Sequence, residues 1–309
     1  MPTDLLPDIV LATLLLLLAW GALHAPSRRD AMALFIGFGL VVALIWARLD
    51  APDLALAEAA IGAGLTGTLF LNAARLLPAE HQRPIRLLAR LPAILFVGFS
   101  VALFTLMLLD PSQPVFPVPD SGSRITAENI NNSGVDHPVT AVLLNFRAWD
   151  TLLELVVLLL ALSGLRQLFP SSGQILQPAR PWQLLLSWTR ILVPLLVVVG
   201  GYLLWNGASA PGGAFQAGAM LAAGAVMLRI VGILPPLRWS FWWLRLSVTG
   251  GALLFLSVAI LTAWTGQGWL VYPIPIAGWL ILLIELFATV SIAVTLTLLV
   301  VGDREDLRT

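Results

Sequence analysis

Apolar residues run along this chain in long blocks broken by short polar interruptions. Blocks long enough to cross about 30 Å of hydrocarbon fall at 5–24, 31–48, 53–77, 90–109, 140–168, 184–206, 213–233, 240–264 and 275–300. The pattern predicts an all-α, polytopic integral membrane protein with about nine transmembrane helices and no soluble domain of its own. The first block carries Asp4 and Asp8 where a secretory signal would have basic residues, so it reads as a retained span. Polar stretches divide the blocks into three groups. Residues 1–80 hold three spans. Residues 85–170 hold two, separated by a long loop over 110–137 rich in Pro, Asp, Asn and Ser. Residues 182–303 hold four, after a Pro/Gln/Ser linker near 170–181. No internal repeat is visible, which argues against an inverted-repeat secondary transporter.

Composition supports lipid as the solvent. Of 309 residues, 59% are hydrophobic and 11% charged, where soluble domains carry about 25% charge. The mean hydropathy is +0.91. A net charge of zero gives no sign of a nucleic-acid partner. The absence of cysteine excludes disulfides, thiolate nucleophiles, iron–sulfur clusters and cysteine-ligated metals within the chain. His24, His81 and His137 show no ligand spacing, so neither a metal nor a cofactor is expected. All 17 basic residues are arginine, whose side chain does not release its proton at ordinary pH. A titrating lysine relay therefore cannot run through this chain.

Arginine placement predicts orientation. In a nine-span arrangement, fourteen of the 17 arginines fall on one side, leaving Arg48, Arg124 and Arg147 on the other. The positive-inside rule then places the N-terminus outside and the C-terminus in the cytoplasm, in the cell's inner (plasma) membrane.

Charged groups within a bilayer are costly and mark candidate chemistry. In DAPDLALAE, over residues 50–58, Asp50 and Asp53 stand at the mouth of the third span. Glu58 lies about 7 Å deeper at 1.5 Å per residue. Small residues follow at Gly62, Ala63, Gly64 and Gly67, which allow close helix approach. This is either a proton or cation relay, or a helix cap at Asp53 beside Pro52 with Glu58 as a packing contact. In NFRAWDTLLE, over 145–154, Arg147, Asp150, Thr151 and Glu154 share one face of a continuous helix. Arg147 can pair with Asp150, which leaves Glu154 as the acid most free to exchange a proton; the alternative is a static ion pair pinning the helix. Glu285 is alone, roughly 15 Å into the last span, with Thr289 one turn on and no arginine in reach. It is either functional or a neutral interhelical hydrogen bond. Finally, NGASAPGGAFQAG over 206–218 makes a tight uncharged turn. Pro211, Gly212 and Gly213 start the next span, and Ala214, Gly218 and Ala222 form a small-residue ridge. Close packing is favoured there over an anion site at the helix N-terminus.

At these residues the chain resembles known membrane-arm proteins. DAPDLALAEAAIGAGLTGTLF resembles the signature span of the D-type domain of membrane-bound hydrogenases. VTAVLLNFRAWDTLLELVVLLLALSGL resembles the E-type domain that follows it. GGYLLWNGASAPGGAFQAGAMLAAGAVML resembles the B-type domain of Mrp-type sodium/proton antiporters. The B-type Pro-Gly-Gly-Gly-Phe core has Ala214 at its third glycine. The histidines often seen before that proline are replaced by Asn206 to Ala210. The resemblance implies a D-like domain over 1–80, an E-like domain over 85–170 and a B-like domain over 182–303. It further implies a non-enzymatic component of a multi-subunit Mrp-type cation/proton antiporter or related respiratory complex. Large antiporter-like proton-channel subunits and small membrane subunits would be its partners, with membrane lipid around it and sodium ion or proton passing. By motif match the cation path would involve Asp53, Glu58, Asp150 and Glu154. Arg147 would tune Asp150, and Glu285 extends the series from its position alone. The competing readings are a scaffold bridging the proton-channel subunits and an independent secondary transporter.

Overall fold

The computed structural model describes residues 5–70, 98–99, 122–168, 183–264 and 268–302. The described residues are helices and loops, with no strand among them. Helices α1 (Leu5–His24) and α2 (Arg28–Arg48) pack as a hairpin. Ser27 closes the turn: its hydroxyl accepts the Asp30 N–H at 3.1 Å and so caps α2. An Asp8–Arg48 ion pair joins the start of α1 to the end of α2. Helix α3 (Pro52–Phe70) starts at a proline, which needs no N–H partner there. It opens into a π-helical stretch over Glu58–Leu65.

Further along are α4 (Gly122–Asn129), a short α5 (Pro138–Ala141), α6 (Ala148–Leu168), α7 (Gln183–Asn206), α8 (Ala214–Ile230), α9 (Trp242–Trp264) and α10 (Ala277–Val301). The chain forms a main unit, residues 1–76 with 129–309, and a second unit over 77–128. Within the second unit Arg124 pairs with Glu128 at 3.3 Å, one turn along α4.

Seven described helices are long and apolar enough to span a membrane: 6–24, 28–48, 52–70, 148–167, 183–206, 242–264 and 274–301. The chain is thus a multi-pass membrane protein. Helix α8, expected to span over 213–233, is apolar but has 17 residues, about 26 Å at 1.5 Å per residue. The span expected over 90–109 lies outside the described residues, apart from 98–99.

The core of the main unit is built around α10, which packs against α6, α8 and α9. Ile281, Ile284 and Ile292 on it are fully buried. Small residues on its neighbours permit this. A Cβ at Gly218 of α8 would stand 2.7 Å from Ile292 Cγ2, and one at Gly251 of α9 would stand 2.8 Å from Ser291 Cβ. Gly218 therefore meets the last helix at backbone distance. Of the small residues expected to allow close approach on α3, two meet α2. Ala63 meets Gly39 of α2, and Gly67 meets Ile36. Gly62 instead faces the carboxyl of Glu58 on its own helix, and Gly64 has only the Ala59 carbonyl nearby.

The single helix expected over 140–168 is broken. After α5 the chain widens into a π-helical turn, Val142–Phe146, closed by Arg147 N–H donating to Val142 O at 2.7 Å. Arg147 leaves helical geometry at φ −129°, ψ 37°, and α6 begins at the next residue. A wide turn frees carbonyls that water cannot satisfy inside a membrane. Thr151 meets one of them by donating to Leu143 O at 2.6 Å. Arg147 therefore does not share a continuous helix face with Asp150 and Glu154.

Candidate functional site

The three segments meet at one end of the main unit. Asp53 sits in the first turn of α3, with its side chain only 11% exposed. Its Oδ2 lies 2.9 Å from His137 Nε2. Its Oδ1 accepts the Gly212 N–H at 3.0 Å, and its backbone carbonyl accepts Gln216 Nε2 at 3.4 Å. Three parts of the chain far apart in sequence are thus tied to one acid. The tie continues through the backbone. Asp136 and His137 N–H groups both donate to Ala208 O, at 2.9 and 3.0 Å, and the Thr140 hydroxyl donates to Gly207 O.

Glu285 projects from α10 toward the same loop and is 2% exposed. Its backbone hydrogen-bond partner is Ala214, at the start of α8. A Cβ at Gly207 or Gly213 would stand 3.2 or 3.1 Å from Glu285 Oε1. Gly213 has φ +108°, ψ −172°, a conformation open essentially to glycine alone. The loop wraps the carboxyl only because these positions carry no side chain. Glu285 Oε2 is buried with no hydrogen-bond partner. Thr289, expected beside this carboxyl, donates to the Glu285 backbone carbonyl at 2.7 Å.

Under the loop lies a cavity of about 390 Å³, whose polar side chains are Asp53, Thr140, Thr151, Glu154, Gln216 and Glu285. Asp53 of α3, Glu154 of α6 and Glu285 of α10 therefore share one space. Glu154 is exposed, so the cavity reaches the surface of the chain beside it. Glu58 is not among the lining residues, because its side chain folds back over Gly62. Asp150 is likewise outside the lining. Arg147 Nη2 lies 2.7 Å from its Oδ2, but the two side chains are 70% and 43% exposed. Pro211 serves the loop, its carbonyl accepting Asn206 Nδ2 at 3.3 Å.

Sequence reasoning passed over His137, Thr140 and Gln216. His137 is 84 residues from Asp53, and no local spacing announces that contact. The one available signal was its place immediately before Pro138, where a helix begins. No group of three or more His, Cys, Asp or Glu that could hold a metal ion occurs among the described residues.

Two family models match the chain. Residues 13–79 match MbhD, the family of the MBH D-subunits. Residues 184–302 match the domain related to the MnhB subunit of Na+/H+ antiporters. No curated protein matches. Among solved structures, a chain of the Mrp complex from Dietzia sp. DQ12-45-1b aligns over 100% of this chain with TM-score 0.75 and 20% identity. The present chain spans 36% of that chain. A chain of the membrane-bound sulfane sulfur reductase, an archaeal respiratory membrane complex, aligns over 70% of this chain and 98% of its own, with TM-score 0.53 and 20% identity. At that identity the two likenesses establish the fold.

Proposed function

We propose, from the premise that this chain is a fused D–B protein of the Mrp and membrane-bound hydrogenase type, that it is one component of a cation/proton antiporter or a related ion-pumping respiratory complex. It performs no catalysis of its own and contributes carboxylates to a cation or proton path. The intervening 85–170 segment acts as the E-like part. The observation that carries this reading is the shared cavity, to which α3, α6 and α10 each bring an acid. Intramembrane acids are expensive and are normally kept for ion pathways. Glu154 is the exposed member and offers entry; Glu285 is the most deeply buried. Asp53 is held by His137 and Gly212, so its role is to fix the loop above the cavity. Glu58, Asp150 and Arg147 would extend the path beyond the cavity, toward neighbouring subunits.

The partners in this reading are large antiporter-like proton-channel subunits and small membrane subunits. The full topology is nine spans in the inner (plasma) membrane, with the C-terminus cytoplasmic, α8 as one of them and another over 90–109. Sodium/proton exchange in vesicles holding the assembled complex tests the path. Glu154→Gln is expected to lower exchange per assembled complex by about tenfold or more, the effect of roughly 1.4 kcal/mol on a barrier. Unchanged exchange removes Glu154 from the path. Normal turnover together with poor assembly would favour the scaffold reading.

A further inference from the structure

The cavity's polar wall has an unequal balance of donors and acceptors. Thr140 donates its hydroxyl to Gly207 O, and Thr151 donates its hydroxyl to Leu143 O. Both hydroxyl protons are engaged by backbone, leaving oxygen lone pairs. Gln216 gives an N–H to Asp53 O and keeps its carbonyl oxygen, which a Cβ on Gly213 would approach to 3.7 Å. Glu285 keeps Oε2 with no partner.

The amides at the start of α8, which would otherwise attract an anion, are occupied. Gly212 N–H goes to Asp53, Gly213 N–H to Leu203 O at 2.9 Å, and Ala214 is bonded to Glu285. No lysine or arginine is among the described residues that line the cavity. Among the described lining residues the wall therefore presents oxygen acceptors, with the second Gln216 N–H the one spare side-chain donor.

An unpartnered buried carboxylate oxygen carries a large cost unless something positive meets it. We infer that this cavity seats one alkali metal cation, bound by Glu285 Oε2 with the Thr140, Thr151 and Gln216 oxygens as neutral ligands. The inference deepens the ion-path reading above and rests on it for its context. Hard cations take oxygen ligands, and divalent ions of this kind call on several carboxylates. Of the three carboxylates on the lining, Asp53 is taken up by His137 and the Gly212 N–H, Glu154 stands where the cavity opens, and Glu285 is the buried one with an oxygen left over. A single buried carboxylate with an unpartnered oxygen matches a single positive charge. This also gives a reason for the Gly207 and Gly213 cradle: it fixes Oε1 against α8 so that Oε2 is left for the ion.

The test is binding without transport, so its outcome is separate from that of the exchange assay. The full chain, purified in mild detergent, is titrated with sodium, potassium or lithium chloride against choline chloride at constant ionic strength and pH, with thermal unfolding as the readout. One alkali ion is expected to raise the midpoint saturably, where choline does not. Glu285→Gln is expected to weaken that response by at least about tenfold, corresponding to about 1.4 kcal/mol. Gln216→Leu, which leaves Glu285 in place, is expected to weaken it several-fold and guards against a folding defect in the first variant. Equal response to choline and to all three alkali ions overturns the inference. So does a stability that follows pH alone, which would make Glu285 a proton carrier, or an alkali response that both variants retain. Failure here with intact Glu154-dependent exchange would remove the seat and leave the path.

Discussion

Removing the Asp53 carboxylate should unfasten the loop above the cavity, and the structure gives the size of the effect. Asp53 Oδ2 meets His137 at 2.9 Å and Oδ1 takes the Gly212 N–H at 3.0 Å. The two side chains are only 11% and 13% exposed, so water cannot replace the lost partner cheaply. A hydrogen bond to a charged group contributes about 1.5–3 kcal/mol. An acid in the first turn of a helix adds about 0.3–1 kcal/mol. Asp53→Ala should therefore cost on the order of 3–5 kcal/mol, the range for breaking a buried pair from one side. Asp53→Asn keeps an acceptor for Gly212 and should cost about half as much. The assay is unfolding of the purified chain in mixed detergent micelles, followed by tryptophan fluorescence. A double-mutant cycle with His137→Ala isolates the pair and should give a coupling of about 1–2 kcal/mol. Additive effects within about 0.5 kcal/mol would refute the claim that this contact holds the three segments together.

Two further substitutions test the backbone that shapes the site. Gly213→Ala forces a Cβ onto φ +108° and to 3.1 Å from Glu285 Oε1. It should destabilise by about 1–3 kcal/mol in the same unfolding assay, and wild-type stability would mean that the loop does not need this conformation. Gly218→Val should cost about 1–3 kcal/mol by overpacking against Ile292. Pairing it with Ile292→Ala should recover part of the loss; a double variant no better than the sum would place the clash elsewhere.

Much of the architecture was legible because the membrane imposes a simple demand. A segment in hydrocarbon must be apolar and about 20 residues long, and that demand is written locally in composition. The runs at 5–24, 31–48, 184–206, 240–264 and 275–300 are each helices within a few residues of their expected bounds. The resemblance to D- and B-type domains was equally local, carried by DAPDLALAE and by the glycine-rich 206–218 turn. Glu285 stood out for the same reason, as an acid in an otherwise apolar run, and it is buried.

The sequence failed wherever the answer depended on geometry between distant segments or on a small change of helical pitch. Helical spacing put Arg147, Asp150 and Glu154 on one face. A π-turn leaves Arg147 off helical geometry, so it stands outside the helix that carries Asp150 and Glu154, although it still reaches Asp150. Periodicity has no means of detecting a π-turn that is stabilised by a threonine beyond its end and a single off-helix φ. Gly62 looked like a packing residue, yet its missing side chain makes room for Glu58 on its own helix, while Ala63 and Gly67 meet α2. His137 carried no local signal, because its partner is 84 residues away. The sequence by itself determined that this chain lives in a membrane, where its helices run and which acids are costly, since burial in lipid is a property of each segment alone. Only the tertiary structure decided which of those acids face one cavity, since that depends on how the loop at 206–213, held by Asp53 and by glycines, brings α3, α6 and α10 together.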